Sequence, residues 1–365
     1  MQLRRLMSYA GKRIKTSAIE HVYLRTNIDL TRPHSIGATL TERCNYRCEY
    51  CTHWRQDRYP TEMTLDDWKR ALLSLKELVF PYVIQFGGGE PFVWPHFLEL
   101  VEFCRAEDID WGVTTNGSAL NERSVKRIVR SRPVNVNISV DSSVAHIHDQ
   151  ARGINGSLKR IERGIRLLIE EQARAEQHFL IRIKPTVHRH NIDNLGQLVD
   201  WCLEVGATTV DFSPVRLQEK GERERLYLRS EDDLARLKAA IDDLIERKRQ
   251  GQPIETSEAK LRGMLSHFKD ELVVHGTGQC RVGLRDYSIR ANGDVIVCWF
   301  FDPIGNVKEQ SAKEIWSSAQ ARQTRTLTAT CEKFGTSLCA SSCLAKRSLL
   351  QDVRRAFLMH RTLLQ

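Results

Sequence analysis

The sequence predicts an α/β protein: a partial, TIM-like barrel of six βα units followed by a small cysteine-rich module. Three observations carry that reading. Between residues 36 and about 215, apolar runs of strand length alternate with segments whose apolar residues recur at helical spacing. The loop leaving the first strand holds three cysteines at Cys-x3-Cys-x2-Cys spacing, and the loop leaving the second holds Gly87-Gly88-Gly89-Glu90-Pro91. From residue 276 onward, five more cysteines appear around a hairpin signal. Repeated βα units form a parallel sheet with its site at the carboxyl ends of the strands, which is where both loops fall.

Composition bounds the rest. The chain has 365 residues, 41% hydrophobic and 28% charged, enough for one large domain and a smaller module. Its apolar runs all fall short of the roughly 18 residues a membrane span needs. The basic start, Met1-Gln2-Leu3-Arg4-Arg5-Leu6-Met7, lacks the apolar core of a signal peptide. A cytoplasmic location is therefore expected, where ten closely spaced cysteines point to metal and not to disulfides. The net charge of +9 gathers partly at both ends, without interleaved aromatics, so a nucleic-acid partner is not expected. An anionic substrate, an acidic partner or solvation explains it equally well.

Residues 1–35 read as a basic extension with one short helix, Leu3, Leu6, Met7 and Ala10 sharing a face that packs on the main domain. The barrel, residues 36–215, opens with the strand Ile36–Leu40. Thr64, with Asp67 three residues on, caps a helix whose stripe is Leu65, Trp68, Leu72, Leu75 and Leu78. Strand Tyr82–Phe86, helix Phe97–Cys104, strand Trp111–Thr114, helix Glu122–Arg130 and strand Val134–Val140 follow. Helix Leu158–Glu170, strand Phe179–Pro185, helix Asn194–Val205 and strand Thr208–Phe212 complete the six units. Arg182 and Lys184 share one face of the fifth strand, and parity leaves open whether that face is inside or outside. Residues 216–275 read as a helical connector: a solvated charge run at 219–225, then helices Glu231–Arg249 and Glu258–Phe268, with no chemistry of its own. Residues 276–365 hold the second cysteine group and a C-terminal helix.

The chemistry begins at Cys44, Cys48 and Cys51. Three thiolates on one short loop fill three corners of an iron–sulfur cube and leave the fourth iron open, whereas structural zinc takes four ligands. Glycine lets backbone approach closely, and a carboxylate such as Glu90 suits an ammonium group. Together these segments resemble the radical S-adenosylmethionine (SAM) superfamily. The resemblance implies that the three cysteines bind a [4Fe–4S] cluster whose open iron is chelated by SAM. It implies that Tyr50 lies against the adenine, and that Gly88, Gly89 and Glu90, followed by Pro91, receive the methionine amino group. Asn116, Ser139 and Asp141, at the ends of the third and fourth strands, match positions that contact ribose and carboxylate in the family, and a turn or strand-end cap explains them nearly as well. His148-Asp149-Gln150-Ala151-Arg152-Gly153 is similar to a family segment whose Arg152 meets a carboxylate or fixes the loop with a salt bridge. An electron donor such as flavodoxin or ferredoxin is also implied.

Cys280 and Cys298 bracket strands Tyr287–Arg290 and Val295–Val297 around an Asn292-Gly293 turn, and Cys331, Cys339 and Cys343 follow at Cys-x7-Cys-x3-Cys spacing. This resembles the auxiliary-cluster module of radical SAM enzymes, known in a larger form with two extra clusters (SPASM) and a smaller form with one (twitch). Five cysteines cannot ligate two cubes, which need eight, so one auxiliary [4Fe–4S] cluster is expected. Cys280, Cys298 and Cys343 are its firmer ligands, with Cys331 and Cys339 competing for the fourth place. The spare thiol, Cys339 for instance, is structural or a hydrogen-atom donor. Four thiolates suit zinc as well. Cys104 and Cys202 read as buried thiols within helical stripes.

The expected activity is reductive cleavage of SAM and hydrogen abstraction from a substrate C–H bond, an oxidoreductase-type radical reaction supported by the auxiliary cluster. Without an appended peptide-recognition domain, the reading tilts toward a small molecule or sugar-type substrate. Modification of a precursor peptide is the alternative, and a non-enzymatic iron–sulfur or zinc scaffold is the third.

Overall fold

The computed structural model describes residues 11, 15, 16, 18–55, 61–217, 220–272 and 280–339. In chain order, α1 (residues 18–26) precedes β1 (Ser35–Thr41), α2 (Leu65–Val79), β2 (Val83–Gly88), α3 (Phe97–Ala106) and β3 (Asp110–Thr115). Then come α4 (Glu122–Arg130), β4 (Asn135–Ile138), α5 (Ala145–Arg152), α6 (Ser157–Arg174), β5 (Leu180–Ile183), β6 (Thr186–Val187), α7 (Leu195–Glu204) and β7 (Thr209–Val210). Next are β8 (Ser213–Pro214), α8 (Lys220–Leu226), α9 (Glu231–Arg249), α10 (Glu258–Phe268), β9 (Asp286–Ile289), β10 (Asp294–Ile296), β11 (Gly305–Asn306), α11 (Ala312–Ser317) and α12 (Ala319–Ala329). The capping box at Thr64 forms as expected, with Asp67 N donating to Thr64 Oγ1 at 3.2 Å and Thr64 N to Asp67 Oδ2 at 2.9 Å.

β1, β2, β3, β4, β5 and β7 form the expected six-stranded parallel array, each strand beside its successor. The array continues past β1. β9 pairs in parallel with it, Ser35 opposite Asp286 and Ala38 opposite Ile289, and β10 and β11 follow antiparallel. The C-terminal hairpin is thus built into the barrel sheet and does not stand apart from it.

Alternation divides the sheet into two chemically different faces. Ile84, Phe86, Trp111, Val113, Val136, Ile138, Ile181 and Ile183 are all buried in the apolar core. They face the helices: Phe97 of α3 makes edge contacts with Phe86 at 5.9 Å and Trp111 at 6.1 Å. The residues between them, Gln85, Gly112, Asn135, Asn137 and Arg182, line the concave side. There a Cβ on Gly112 would meet Asn135 Oδ1 at 2.6 Å and Gln85 Oε1 at 2.7 Å. Arg182 therefore points inward, and the concave wall is polar while the convex wall carries the core.

Several expectations change. The fourth, fifth and sixth strands are shorter than the apolar runs, because the chain leaves the ladder at their carboxyl ends. α5, over the His148–Arg152 segment, was not foreseen as a helix. The charge run forms α8, which was not expected: Gly221, Glu224 and Arg225 are exposed, as a solvated run should be, while Glu222 pairs with Arg55, and Arg223 pairs with Asp270 and lies 4.7 Å over the Tyr227 ring. The connector also adds to the sheet, since Ile254 bridges in parallel to Val210. The face of Leu3, Leu6, Met7 and Ala10 lies outside the described residues.

What the structure shows of the N-terminal extension is a strap onto the C-terminal module. Glu20, 2% exposed, accepts Arg285 Nε at 2.7 Å and Nη2 at 2.6 Å, with Arg281 at 3.4 Å. Asp29 pairs with Arg325 at 2.6 Å, and Trp316 Nε1 donates to the Thr31 carbonyl at 3.0 Å. Glu20→Ala leaves two arginines without their acceptor. Because both arginines reach solvent in part, the expected loss is about 2 kcal/mol, below the usual cost of breaking a buried pair, read by chemical denaturation.

Candidate functional site

The loops leaving β1 and β2 are packed into one body. Gly89 N donates to the Thr41 carbonyl at 2.8 Å and Glu90 N to the Arg43 carbonyl at 2.9 Å, so the glycine turn is bonded to the chain just before Cys44. Close approach is what the glycines supply. Gly88 has φ +111°, and a Cβ there would meet Thr39 Cγ2 at 2.7 Å. A Cβ on Gly89 would lie 2.6 Å from the Arg43 carbonyl carbon and 2.8 Å from the Glu42 oxygen.

Glu90 is 1% exposed. Its Oε1 accepts Thr115 Oγ1 at 2.7 Å and Phe92 N at 3.3 Å, and its Oε2 accepts Asn116 N at 2.7 Å. Burial outweighs these bonds and pushes its carboxyl up to about 7. A carboxyl raised above its usual value of about 4.5 makes the fold progressively less stable as pH climbs from about 4.5 to about 7. Urea denaturation of the metal-free protein is expected to show that decline, of about 3 kcal/mol, and Glu90→Gln is expected to remove it.

Cys48 and Cys51 lie close enough for their charges to raise Cys44, and Cys51 close enough to raise Cys48. Burial is the larger effect: it lifts Cys44 to about 11 and raises Cys48 as well. N–H groups surround the sulfurs. Tyr46 N is 3.5 Å and Asn116 Nδ2 4.0 Å from Cys44 Sγ, and Arg152 Nη1 is 3.9 Å from Cys48 Sγ. Among the described residues, no three His, Cys, Asp or Glu side chains close around a single metal ion.

Behind Cys48 lies a buried polar network. Arg152 Nη2 donates to Asp141 Oδ1 at 2.8 Å, Tyr50 Oη to Asp141 Oδ2 at 2.6 Å, and Thr186 N to Asp141 Oδ1 at 2.9 Å. Asn191 Nδ2 bonds the carbonyls of Asp141 at 2.8 Å and Thr186 at 2.9 Å, tying β4 to β6. Burial raises the Asp141 carboxyl, yet Arg152, His188, His148 and the Tyr50 hydroxyl together hold it below its usual range. Burial keeps His148 and His188 down to about 4 and therefore neutral. Arg152 Nε, Tyr46 Oη and the Nε2 atoms of His148 and His188 are buried without partners, four unsatisfied polar groups around one loop.

In the C-terminal module, Cys280, Cys331 and Cys339 all act on the charge of Cys298, which burial raises. Cys280, Cys298, Cys331 and Cys339 thus lie near one another in the module. Cys343 lies outside the described residues.

Comparison with known proteins then settles the family. A family model described as the Radical SAM superfamily matches residues 39–202, and one described as an iron–sulfur cluster-binding domain, SPASM, matches 280–344. The chain belongs to the radical SAM superfamily. Curated relatives of this radical SAM enzyme span both regions. An AdoMet-dependent heme synthase of Methanosarcina barkeri is 25% identical, over 79% of this chain and 83% of its own. A mycofactocin maturase, MftC, of Mycobacterium ulcerans is 27% identical over 78% and 73%, and a PqqA peptide cyclase of Granulibacter bethesdensis 23% over 80% and 75%. Among solved structures, Streptococcus suis SuiB bound to S-adenosylmethionine shares the fold at a TM-score of 0.65 and 17% identity, covering 85% of this chain and 72% of SuiB. Among the described residues of this radical SAM enzyme, no helix is long and apolar enough to cross a membrane.

The radical SAM cofactors, a [4Fe–4S] cluster, SAM and an auxiliary iron–sulfur group, fit the residues present. Thiols that burial keeps protonated need a cationic core to become thiolates, and N–H groups already aim at two of the sulfurs. The orphaned Arg152 Nε and Tyr46 Oη sit where a polar ligand would satisfy them. The structure brings Tyr50, Asp141, Arg152, Glu90, Asn116 and the three cysteines together. Pro91, buried, starts the short helical turn Pro91–Val93 after Glu90. Ser139 ends β4 with its N bonded to the Thr115 carbonyl at 3.0 Å. Sequence reasoning passed over His148, His188 and Asn191 as site residues; only the first lay within a segment already singled out.

Proposed function

We propose that this radical SAM enzyme modifies a ribosomally made peptide. The reading rests on relatives that match across both the core and the module, one of them named a peptide cyclase, over three quarters of its length. It replaces the tilt toward a small molecule or sugar-type substrate. When bound, the cluster and SAM supply one-electron cleavage of SAM and abstraction of an unactivated hydrogen. Cys44, Cys48 and Cys51 hold the cluster. The Gly88–Glu90 turn, with Pro91 fixing its exit, takes the methionine amino group. Tyr50, Asn116, Ser139 and Asp141 orient the nucleoside, and Arg152 neutralises a carboxylate. Cys280, Cys298 and Cys343 are ligands of one auxiliary [4Fe–4S] cluster, Cys331 or Cys339 is the fourth, and the spare thiol is structural or donates a hydrogen atom. A flavodoxin or ferredoxin delivers the electron, and the protein works in the cytoplasm. The barrel core occupies residues 36–215, the connector 216–275 and the module 276–365.

The heme synthase relative favours a second reading, a small-molecule substrate. One experiment separates them. The anaerobically loaded enzyme, given SAM and dithionite, is incubated with a mixture of short synthetic peptides and, separately, with a porphyrin. A SAM-dependent mass change in a peptide supports the proposal. Change in the porphyrin alone overturns it.

A further inference from the structure

Four side chains of alternating charge line the concave wall, and the reaction just described uses none of them. Arg182 Nη1 donates to Asn137 Oδ1 at 2.6 Å, and its Nε pairs with Glu255. Two residues on, Lys184 Nζ meets Asp211 Oδ2 at 2.7 Å, and Asp211 Oδ1 accepts Thr256 Oγ1 at 3.1 Å. Both Lys184 and Asp211 are held by backbone as well: Lys184 N bonds the Ile138 carbonyl at 2.8 Å, and Asp211 N bonds the Ile183 carbonyl at 2.9 Å. The row stands at the carboxyl ends of β5 and β7, the end that carries the cysteine loop. Glu255 and Thr256 come from the connector, a segment that carries no chemical motif of its own.

The four groups are not equally committed. Arg182 is held from two sides, and both Asp211 oxygens are engaged. Lys184 spends one of three N–H donors, on Asp211, and its side chain is 31% exposed, against 10% for Arg182, 18% for Asp211 and 20% for Glu255. It is the most exposed member of the row. Lys184, Lys260 and Arg182 all act on the Asp211 carboxyl. Burial pushes the Asp211 carboxyl up, but the cations outweigh it and bring it down to about 2, so Asp211 is a carboxylate at any working pH.

We propose that Lys184 is a specificity-determining residue: its ammonium, positioned by Asp211, receives a carboxylate of the substrate, the side chain of an acidic residue in the bound peptide. The assignment rests on the peptide reading above. A charge-assisted bond in a partly desolvated wall is stronger than one to an amide, so aspartate and glutamate are preferred over asparagine and glutamine. Asp211 is the positioning residue, keeping the lysine stem in one place.

The test uses the anaerobically loaded enzyme with SAM and a library of pentapeptides, acetylated and amidated at their ends, whose central residue is varied. Bound peptides are captured and counted by mass spectrometry. The wild-type enzyme is expected to enrich central Asp and Glu about tenfold over Asn and Gln. Lys184→Met should lose that preference at unchanged iron content, and Lys184→Glu should turn it toward Lys and Arg. Should Lys184→Met fail to fold, Lys184→Gln, which keeps a donor for Asp211 but drops the charge, carries the same test. Peptide binding without an acidic preference, or a preference that survives loss of the charge, overturns the assignment and leaves the peptide reading standing. If no peptide is enriched at all, the peptide reading falls and this assignment with it.

Discussion

The Cys48→Ala variant is expected to form no 5′-deoxyadenosine when loaded anaerobically and given SAM and dithionite. Cys48 is the most buried of the three loop thiols. Tyr46 and Trp54 touch the loop but offer no soft donor: Trp54 Nε1 is spent on the Cys48 carbonyl at 3.0 Å. Arg152 would then face a methyl group where it now faces sulfur, leaving its guanidinium with Asp141 alone on that side. The loop itself should survive, because Cys51 N still bonds the Cys48 carbonyl at 3.1 Å and Glu49 N the Ala151 carbonyl at 3.0 Å. So the variant should fold with unchanged circular dichroism and lose one cluster's iron. Cys104→Ala, at a buried thiol in α3, serves as control and should keep both iron and product. Product formation by Cys48→Ala at the wild-type rate would remove the loop from the reaction.

Much of the site was legible because its signals are local. The three cysteines and the Gly88–Glu90 turn are short spacings, each at the end of an apolar run, and the run fixes where the chain emerges. Asp141 and Arg152 were legible as candidates but not as a pair, because only the fold brings β4's end back over α5. His148, His188 and Asn191 carried less signal still. A buried polar side chain on a helix or turn has the same sequence signature as an exposed one. The inward face of Arg182 became clear only once Val136, Ile138, Ile181 and Ile183 were seen against the helices. Arg182 and Lys184 alternate with isoleucine, a pattern that shows two faces without showing which is concave. Glu255 and Thr256 were invisible for another reason: α9 intervenes between them and Asp211, and no periodicity links such distant positions. Composition put the charge run in solvent, where Glu224 and Arg225 do lie, but a row of charges says nothing about whether Arg55 and Asp270 wait across the fold to receive Glu222 and Arg223.

Gly89→Ala should be the most damaging single methyl in the protein. Its Cβ would enter the peptide unit of Arg43, 2.6 Å from the carbonyl carbon and closer still to the oxygen, with the Glu42 oxygen at 2.8 Å. All three atoms are backbone, so no side chain can rotate away. The turn must retreat, and two bonds go with it, Gly89 N to Thr41 O and Glu90 N to Arg43 O. Each is worth about 1 kcal/mol, and displacing Glu90 from Thr115, Asn116 and Phe92 adds a similar amount. A loss of about 3 kcal/mol corresponds to about a hundredfold weaker binding if SAM must restore the native turn to bind. Equilibrium dialysis of labelled SAM against the loaded enzyme measures the second quantity, and thermal unfolding the first. Gly87→Ala is the contrast: nothing lies within 4 Å of its Cβ and its φ is not positive, so the fold should keep its stability within about 0.5 kcal/mol. If Gly89→Ala melts and binds SAM as the wild type does, the two loops are not packed against each other, and the site loses the contact that places Glu90 beside Cys44.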